Sequence, residues 1–269
     1  MDVLGLSVEG VSVGGVETCL EIPAWKLALD MGRCSRSAVQ LTTVLFTHAH
    51  IDHLGGIATH SATRELWGLP PARYVVPPAV VPGLERLMDA WRGLDGARFD
   101  GEIYPLEPGD SLALTKELTV TALRTVHRVV SQAYVISKKR KKLRSDLVGL
   151  SGPEIAARRT AGEEVHDIWE VDELAFSGDT RMEGLTEHER ILASRRLLME
   201  VTFFDDRVSV EMARKMGHIH FDEFVRDGGL FKNEQIVLTH RSARYRKAEA
   251  LALIEQKLPP ELAGRVRSL

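Results

Sequence analysis

The sequence predicts a mixed α/β protein built from layers of sheet and helix. Its apolar runs are short, rich in β-branched residues and mostly followed by polar or glycine-containing turns, as in buried strands. Helix-like stretches separate several of these runs, and no repeat or Gly/Ser-rich linker divides the chain. Runs of both kinds favour a layered α/β or α+β domain over a helical bundle or an all-β sandwich. We therefore expect a single domain over residues 1–269.

The predicted elements follow one another along the chain. The strands are Thr42–Phe46, Tyr74–Val76, Leu118–Ala122, Tyr134–Ile136, Leu174–Phe176, Leu197–Val201 and Ile236–Leu238. The helices are Leu54–Trp67, Leu84–Leu94, Phe221–Arg226 and Ala243–Lys257. Residues 145–172 alternate short apolar pairs with glycines, which predicts an excursion from the core.

Composition excludes several classes of protein. A hydrophobic fraction of 44% is too high for a disordered chain. The longest uncharged stretch, residues 37–51, is shorter than the roughly 20 residues that a membrane-spanning helix needs. The first residues lack the basic start of a secretory signal, and two cysteines, Cys19 and Cys34, do not make a disulfide scaffold. We expect a cytoplasmic protein without a membrane partner.

The histidines give the strongest functional signal. The chain has 10 of them, and three lie in the segment His48-Ala49-His50-Ile51-Asp52-His53. A lone histidine is usually a core or surface residue. Three imidazoles in one turn would repel one another if protonated and would be poorly solvated if buried and neutral. A divalent cation resolves both problems, so this segment predicts a metal site.

Further donors follow other predicted strands. His48 follows Val44-Leu45-Phe46, His127 follows an apolar run, and Asp179 and His240 follow two more. The carboxyl ends of strands are where sites assemble in open sheets. Together the seven donors are too many for one tetrahedral zinc and suit two metals that share a carboxylate. They are His48, His50, Asp52, His53, His127, Asp179 and His240.

These motifs resemble a known family. The HxHxDH segment, the later histidine, the Ser177-Gly178-Asp179-Thr180 segment and the final histidine form the ligand signature of the metallo-β-lactamase fold. The segment THRSARY at 239–245 is similar to the THxSxRY motif of ribonuclease Z, the endonuclease that removes tRNA 3′ trailers. Segments at 127–134, 200–203 and 217–218 resemble other motifs of that family, and the amino-terminal segments resemble its plant-type short form. The similarity extends from about residue 5 to residue 266.

The resemblance implies a fold, a ligand set and an activity. The fold is the αββα four-layer sandwich. One metal would be held by His48, His50 and His127, the other by Asp52, His53 and His240, with Asp179 bridging. Zn²⁺ is the expected ion, although imidazole and carboxylate donors also accept iron and manganese. The implied substrate is precursor tRNA, cleaved by a metal-activated water. A homodimer is expected from the resemblance alone.

Five residues are candidates for catalysis or substrate binding. Asp52 is a ligand, a general base or both. His218 is the candidate general acid for the leaving 3′ oxygen, with Glu200 as its orienting partner. Arg244 would lie in the first turn of the helix predicted at 243–257, where it would add a guanidinium to a phosphate site, and Ser242 would cap that helix. A purely structural ion pair is the alternative for Arg244.

A basic run is the second candidate for binding RNA. The net charge of −3, from 35 basic and 38 acidic residues, requires a local patch for any contact with nucleic acid. The run is Lys138, Lys139, Arg140, Lys141, Lys142 and Arg144. It lies in a short basic excursion at about 137–172, where the family's longer tRNA-binding arm departs. A solvated surface is the alternative interpretation.

The sequence also departs from the family pattern. The PxKxRN loop of most bacterial ribonucleases Z is missing, Met199 replaces a histidine and Ile219 replaces a serine. Two other functions therefore stay open. One is a small-ester hydrolase of the same fold, such as a glyoxalase II-like thioesterase or a lactonase. The other is an RNA-binding protein that holds metal without catalysis, against which the complete ligand set argues.

Overall fold

The computed structural model describes all 269 residues. The strands are β1 (Asp2–Val3), β2 (Leu6–Ser7), β3 (Glu9–Gly14), β4 (Glu17–Ile22), β5 (Leu27–Leu29), β6 (Thr43–Leu45), β7 (Arg73–Val76), β8 (Glu102–Pro105), β9 (Ser111–Ala113), β10 (Leu118–Arg124), β11 (Gln132–Leu143), β12 (His166–Phe176), β13 (Arg196–Glu200), β14 (Gln235–Thr239), β15 (Arg241–Ser242) and β16 (Val266–Ser268). The helices are α1 (Ile51–Leu54), α2 (Ile57–Leu66), α3 (Val81–Asp95), α4 (Gly152–Thr160), α5 (Glu183–Thr186), α6 (Glu189–Ala193), α7 (Val210–Met216), α8 (Phe221–Asp227), α9 (Lys247–Lys257) and α10 (Pro260–Ala263).

Two seven-stranded sheets form the centre of the molecule. The amino-terminal sheet has the strand order β15-β3-β4-β5-β6-β7-β8, and the carboxy-terminal sheet has the order β16-β14-β13-β12-β11-β10-β9. An apolar core between the sheets contains Leu29, Val75, Tyr134, Leu174 and Val237. Strands of both sheets contribute to this core, so the sheets pack face to face.

Helices cover the outer face of each sheet. Residues of α1–α3 pack on the amino-terminal sheet, where Ile57, Leu84 and Met88 are buried. Residues of α5–α10 pack on the carboxy-terminal sheet around Phe221 and Phe224. The four layers are therefore helix, sheet, sheet and helix, and the predicted αββα sandwich is confirmed. None of the helices is both long and apolar enough to span a membrane.

The chain leaves one sheet for the other at His240. Strand β14 ends at Thr239 in the carboxy-terminal sheet, and β15 begins at Arg241 beside β3 of the amino-terminal sheet. His240 makes this change with a left-handed backbone, φ 57°. A positive φ is uncommon for a residue other than glycine and is characteristic of sites that the surrounding structure constrains.

Two predicted helices have different bounds. The helix predicted at 54–67 is α2 and begins only at Ile57, because Gly55 and Gly56 separate it from α1, which ends at Leu54. A Cβ atom at Gly56 would lie 2.8 Å from the backbone of Arg33 and Cys34, so the close approach of that segment requires glycine. The helix predicted at 243–257 begins at Lys247.

The basic excursion is more regular than predicted. Strand β11 continues through Lys138 to Leu143, and β12 begins at His166, so the two strands form an antiparallel ribbon closed by a segment that contains α4. Strand β10 pairs with β11 only as far as Lys138, and β13 pairs with β12 only at residues 175–176. The ribbon therefore projects beyond the sheet from about residue 138.

Candidate metal centre and active site

The HxHxDH segment begins shortly after β6 and continues into α1. His50 precedes the first residue of α1, and Asp52 and His53 lie within that helix. His48 and His53 are buried, whereas His50 and Asp52 are partly exposed. The tight turn thus directs four donors from one short segment into the cleft between the two sheets.

The remaining predicted ligands follow three other strands. His127 follows β10, Asp179 follows β12 and His240 follows β14. The structure brings their ligand atoms to the HxHxDH segment in two groups, within each of which the atoms lie within 4.8 Å of one another. The groups are His48, His50, His127 and Asp179, and Asp52, His53 and His240.

Asp179 lies between the two groups. Its Oδ2 atom is 3.7 Å from Nε2 of His48 and 3.2 Å from Nε2 of His240. Its Oδ1 atom is buried and has no hydrogen-bond partner. A buried carboxylate oxygen without a partner is costly unless a cation binds it. Asp179 therefore has the position and the free atom that a shared metal ligand requires.

Outer hydrogen bonds fix the histidine rings. Nδ1 of His127 lies 2.8 Å from the carbonyl oxygen of Gly217, and Nδ1 of His53 lies 2.7 Å from Oδ2 of Asp30. Since a carbonyl or carboxylate oxygen accepts the hydrogen bond, each Nδ1 carries a proton, which leaves Nε2 as the atom that a metal would bind. Nε2 of His53 is 3.2 Å from Nε2 of His240, so two candidate metal-binding nitrogens face each other.

Burial and Asp179 set the electrostatics of this cluster. Burial lowers the pKa of His48 well below its usual value, and burial also lowers the pKa of His127. Burial alone would raise the pKa of Asp179, but His240 and His53 outweigh it and hold that pKa well below the usual value. Burial alone would lower the pKa of His53, but the carboxylates of Asp179 and Asp30 outweigh it and raise that pKa well above the usual value, so a metal bound at His53 would displace a proton.

Sequence reasoning missed two residues that support the ligands. Asp30, immediately after β5, is buried and accepts hydrogen bonds from the backbone N–H and hydroxyl of Thr47 as well as contacting His53. Thr202, shortly after β13, contacts Nδ1 of His240 at 3.0 Å. Thr202 follows the predicted strand Leu197–Val201, so the rule that located the ligands would also have located it, whereas Asp30 follows β5, which is not among the predicted strands.

His218 and Glu200 lie beside the candidate metal ligands. Nδ1 of His218 is 3.1 Å from Oε1 of Glu200 and 3.9 Å from Oδ2 of Asp179. Burial lowers the pKa of His218, but the Glu200 carboxylate outweighs burial and raises it to about 9. His218 is therefore protonated at neutral pH, as a general acid must be. The neighbouring His220 has a structural role, since its side chain caps α8.

Arg244 lines a cleft with the site residues. The cleft has a volume of about 290 Å³ and is bordered by His218, His240, Phe203 and Gly15. The guanidinium carbon of Arg244 lies 5.8 Å from the centre of the Phe203 ring, a contact that leaves its charge free for an anion. The alternative of a structural ion pair has no support in these contacts.

The predicted helix positions of Arg244 and Ser242 are wrong. Helix α9 begins at Lys247, so Arg244 lies in the turn before it and is not in its first turn. Ser242 belongs to β15 and does not cap α9; its hydroxyl accepts the backbone N–H of Arg244 at 3.4 Å. Because the chain passes to the other sheet at His240, residues 241–246 form a strand and a turn, and the helix begins only after them.

The residues of the basic run are not equivalent. Lys138 pairs with Glu117 at 3.8 Å, Arg144 with Asp146 at 2.9 Å, and Arg140 with Glu173. The exposed residues Lys139, Lys141 and Lys142 form none of these ion pairs. Three of the six residues predicted to bind phosphate therefore have a charge that none of these ion pairs neutralises.

Comparison with known proteins defines the family. The model of the beta-lactamase superfamily domain matches residues 26–241. The chain is 38% identical over 271 residues to tRNase Z TRZ1 of Arabidopsis thaliana, a match that covers 100% of this chain and 96% of that protein. It is 25% identical over 247 residues to Ribonuclease Z of Methanocaldococcus jannaschii, covering 82% of this chain and 76% of that protein.

Solved structures share the fold. The human tRNase Z short form matches with a TM-score of 0.64 and 16% identity, covering 96% of this chain and 94% of the other. The metallo-beta-lactamase fold protein YhfI of Bacillus subtilis matches with a TM-score of 0.65 and 15% identity, covering 96% and 93%. This fold implies binding of divalent metal, and the clustered donors fit it. The resemblance predicted from the sequence is confirmed, and the chain belongs to the tRNase Z family of the beta-lactamase superfamily.

Proposed function

We propose that this protein is a metal-dependent endoribonuclease that removes the 3′ trailer from precursor tRNA by hydrolysing one phosphodiester bond. The observation that carries the proposal is the position of His218, which is held by Glu200 and lies next to Asp179 at the edge of the metal-ligand cluster. A ribose 3′ oxygen is a poor leaving group and needs a proton, which His218 supplies. Relatives named as tRNase Z support the same activity.

Two divalent ions, with Zn²⁺ as the expected metal, fit the donor set. His48, His50 and His127 would hold one ion and Asp52, His53 and His240 the other, with Asp179 shared. Two such ions supply a water of low pKa and positive charge opposite the phosphoryl oxygens. The buried Oδ1 of Asp179, which has no hydrogen-bond partner, supports metal binding at this carboxylate, and its Oδ2 lies 3.7 Å from Nε2 of His48 in one group and 3.2 Å from Nε2 of His240 in the other.

The protein's own residues orient the reaction. Oδ2 of Asp52 accepts the backbone N–H of Gly15 at 2.8 Å, which fixes the carboxylate beside the cleft, where it holds or deprotonates the attacking water. As the water oxygen bonds to phosphorus, the bond from phosphorus to O3′ breaks and His218 donates its proton to O3′. The products are a tRNA with a 3′ hydroxyl and a trailer with a 5′ phosphate.

The basic excursion supports a large substrate. Strand β11 begins beside the metal-ligand segment, where the backbone N–H of Gln132 donates to Thr47, and runs away from it. At about 3.3 Å per residue, Lys139, Lys141 and Lys142 lie roughly 20–35 Å from the site. They would therefore contact phosphates remote from the scissile bond, as in a folded tRNA. A small ester would not reach them, which disfavours a thioesterase or lactonase.

The homodimer and the cytoplasmic location remain predictions. The homodimer rests on the family resemblance. The exposed row Leu87, Trp91 and Leu94 on α3 is available for an apolar contact between subunits, and Leu94 is 80% exposed.

Cleavage of a precursor tRNA with a 3′ extension tests the function. Purified protein with Zn²⁺ is expected to release the trailer, to lose activity when chelated and to regain it when Zn²⁺ is restored. Asp52→Ala is expected to bind the RNA but to cleave it orders of magnitude more slowly. Thioester or lactone turnover in the absence of any cleavage or binding of precursor tRNA would contradict the proposal.

A further inference from the structure

A β-bulge lies where the basic excursion leaves the sheet. Ile136 of β11 pairs with Leu174 of β12, but the next residue, Ser137, pairs with Asp172. Glu173 is therefore the extra residue of β12. A bulge bends its strand and increases the local twist, so this position sets the direction of the ribbon beyond it.

Glu173 joins the ribbon to the core. Its side chain is buried and binds Arg140 of the ribbon. It also accepts a hydrogen bond from Nη1 of Arg196 at 2.6 Å, and Arg195 lies 3.8 Å away. Arg196 in turn donates to the carbonyl oxygens of Val3 and Leu4. One carboxylate thus links a residue beyond the bulge to strand β13 and the amino terminus.

A second carboxylate fixes the opposite side of the bulge. Asp172 accepts two hydrogen bonds from the guanidinium of Arg190, at 2.8 and 2.9 Å, and one from the hydroxyl of Ser137 at 2.7 Å. Arg190 belongs to α6 and also donates to Ser137. Bidentate guanidinium contacts fix orientation as well as position. Neither cluster touches the metal ligands.

We propose that Glu173 and Asp172 are positioning residues that fix the direction in which the basic excursion leaves the core and so place its lysines on the RNA. The part of this proposal that concerns RNA rests on the proposed function. Apolar side chains would hold two strands together at least as well as a buried ion cluster. The carboxylates fix the angle of the bend, which two strands without these contacts would not hold constant.

The test compares three variants that each remove one negative charge from β12. Glu173→Gln and Asp172→Asn break the two clusters, and Glu170→Gln is the matched control on the exposed ribbon opposite Lys139. Simple electrostatics predicts that all three bind RNA slightly more tightly. The proposal predicts the opposite sign for the first two, with the KM for precursor tRNA raised about tenfold. Hydrolysis of bis(p-nitrophenyl) phosphate should keep the wild-type rate, because this small diester does not use the ribbon.

Hydrogen exchange gives a second, independent readout. The backbone amides of residues 139–143 and 166–171 are expected to exchange faster in Glu173→Gln and Asp172→Asn than in wild type or Glu170→Gln. If Glu173→Gln fails to fold, Asp172→Asn tests the same bend through a carboxylate that is 24% exposed. Unchanged exchange, an equal change in Glu170→Gln, or a parallel loss on both substrates would overturn the proposal. Failure of wild type to cleave precursor tRNA would instead refute the proposed function.

Discussion

Glu200 holds His218 through a contact of 3.1 Å between Oε1 and Nδ1, and the same imidazole lies within 4.8 Å of the ligand atoms of Asp179 and His240. The other side of the carboxylate is also occupied: Oε2 accepts the hydroxyl of Thr202 at 2.7 Å. Thr202 contacts His240, a candidate metal ligand. The candidate general acid and the metal site are therefore positioned by one connected network.

This network predicts a dependence on the leaving group. His218→Asn should lower kcat for precursor tRNA about 10²- to 10³-fold, because O3′ would leave without its proton. Hydrolysis of bis(p-nitrophenyl) phosphate should change much less, since p-nitrophenolate is a good leaving group. Metal analysis serves as the control and should give the wild-type content. A loss of metal would show that His218 is a ligand instead.

Arg244 is expected to bind a phosphate of the substrate. Arg244→Ala should raise the KM for precursor tRNA about tenfold or more, the loss expected for one hydrogen bond to a charged group. Steady-state cleavage at varied RNA concentration would measure this change, and metal content should stay constant. Lys247→Ala, which removes an exposed cation at the start of α9, is the matched control. Equal effects of the two variants would indicate general electrostatic attraction rather than a site.

The exposed lysines of the basic excursion that form no ion pair with Glu117, Asp146 or Glu173 should make its largest contribution to RNA binding. Replacing Lys139, Lys141 and Lys142 by methionine should reduce the slope of log K against log salt by about two, because each phosphate contact releases counterions. Replacing Lys138 and Arg144, which are paired with Glu117 and Asp146, should reduce it less. Binding titrations over a range of salt concentrations measure the slopes. An unchanged slope in the first variant would indicate that the basic run is an ordinary solvated surface.

His60 should make the stability of the fold depend on pH. Its ring lies between the hydroxyl of Tyr74 and the carbonyl oxygen of Ala38, and burial, with the nearby Arg64, lowers its pKa from 6.5 to about 4. Between these two values the unfolded chain binds the proton and the fold does not, so stability rises with pH over this window. The contribution is roughly 3 kcal/mol above pH 6.5 and disappears as the pH falls towards 4.

Urea unfolding at a series of pH values measures this effect. His60→Gln should show a smaller slope of unfolding free energy against pH between 4 and 6.5 than wild type, by up to about 1.4 kcal/mol per pH unit. The exposed His166→Gln should follow wild type. Parallel curves for His60→Gln and wild type would show that His60 carries a proton in the fold.

The sequence by itself determined the fold class, the family and all seven metal-ligand candidates. It could do so because a strand is recognised from the composition of a few consecutive residues. The donors, in addition, follow strands whose carboxyl ends meet at one edge, as His48 and His240 illustrate. It did not determine the start of α9, because the preceding residues are used by β15, a strand that exists only through its partner β3. It also missed Asp30 and Thr202, which act only through the imidazoles that the fold places beside them.

The tertiary structure alone decided which charges are free. In the run KKRKKLR every cation has the same local context, yet Arg140 is bound by Glu173 while Lys141 is exposed. The partner of Arg140 lies 33 positions away and reaches it through a bulge in strand pairing. Charge pairing at that separation depends on register and twist, and those are properties of the assembled sheet.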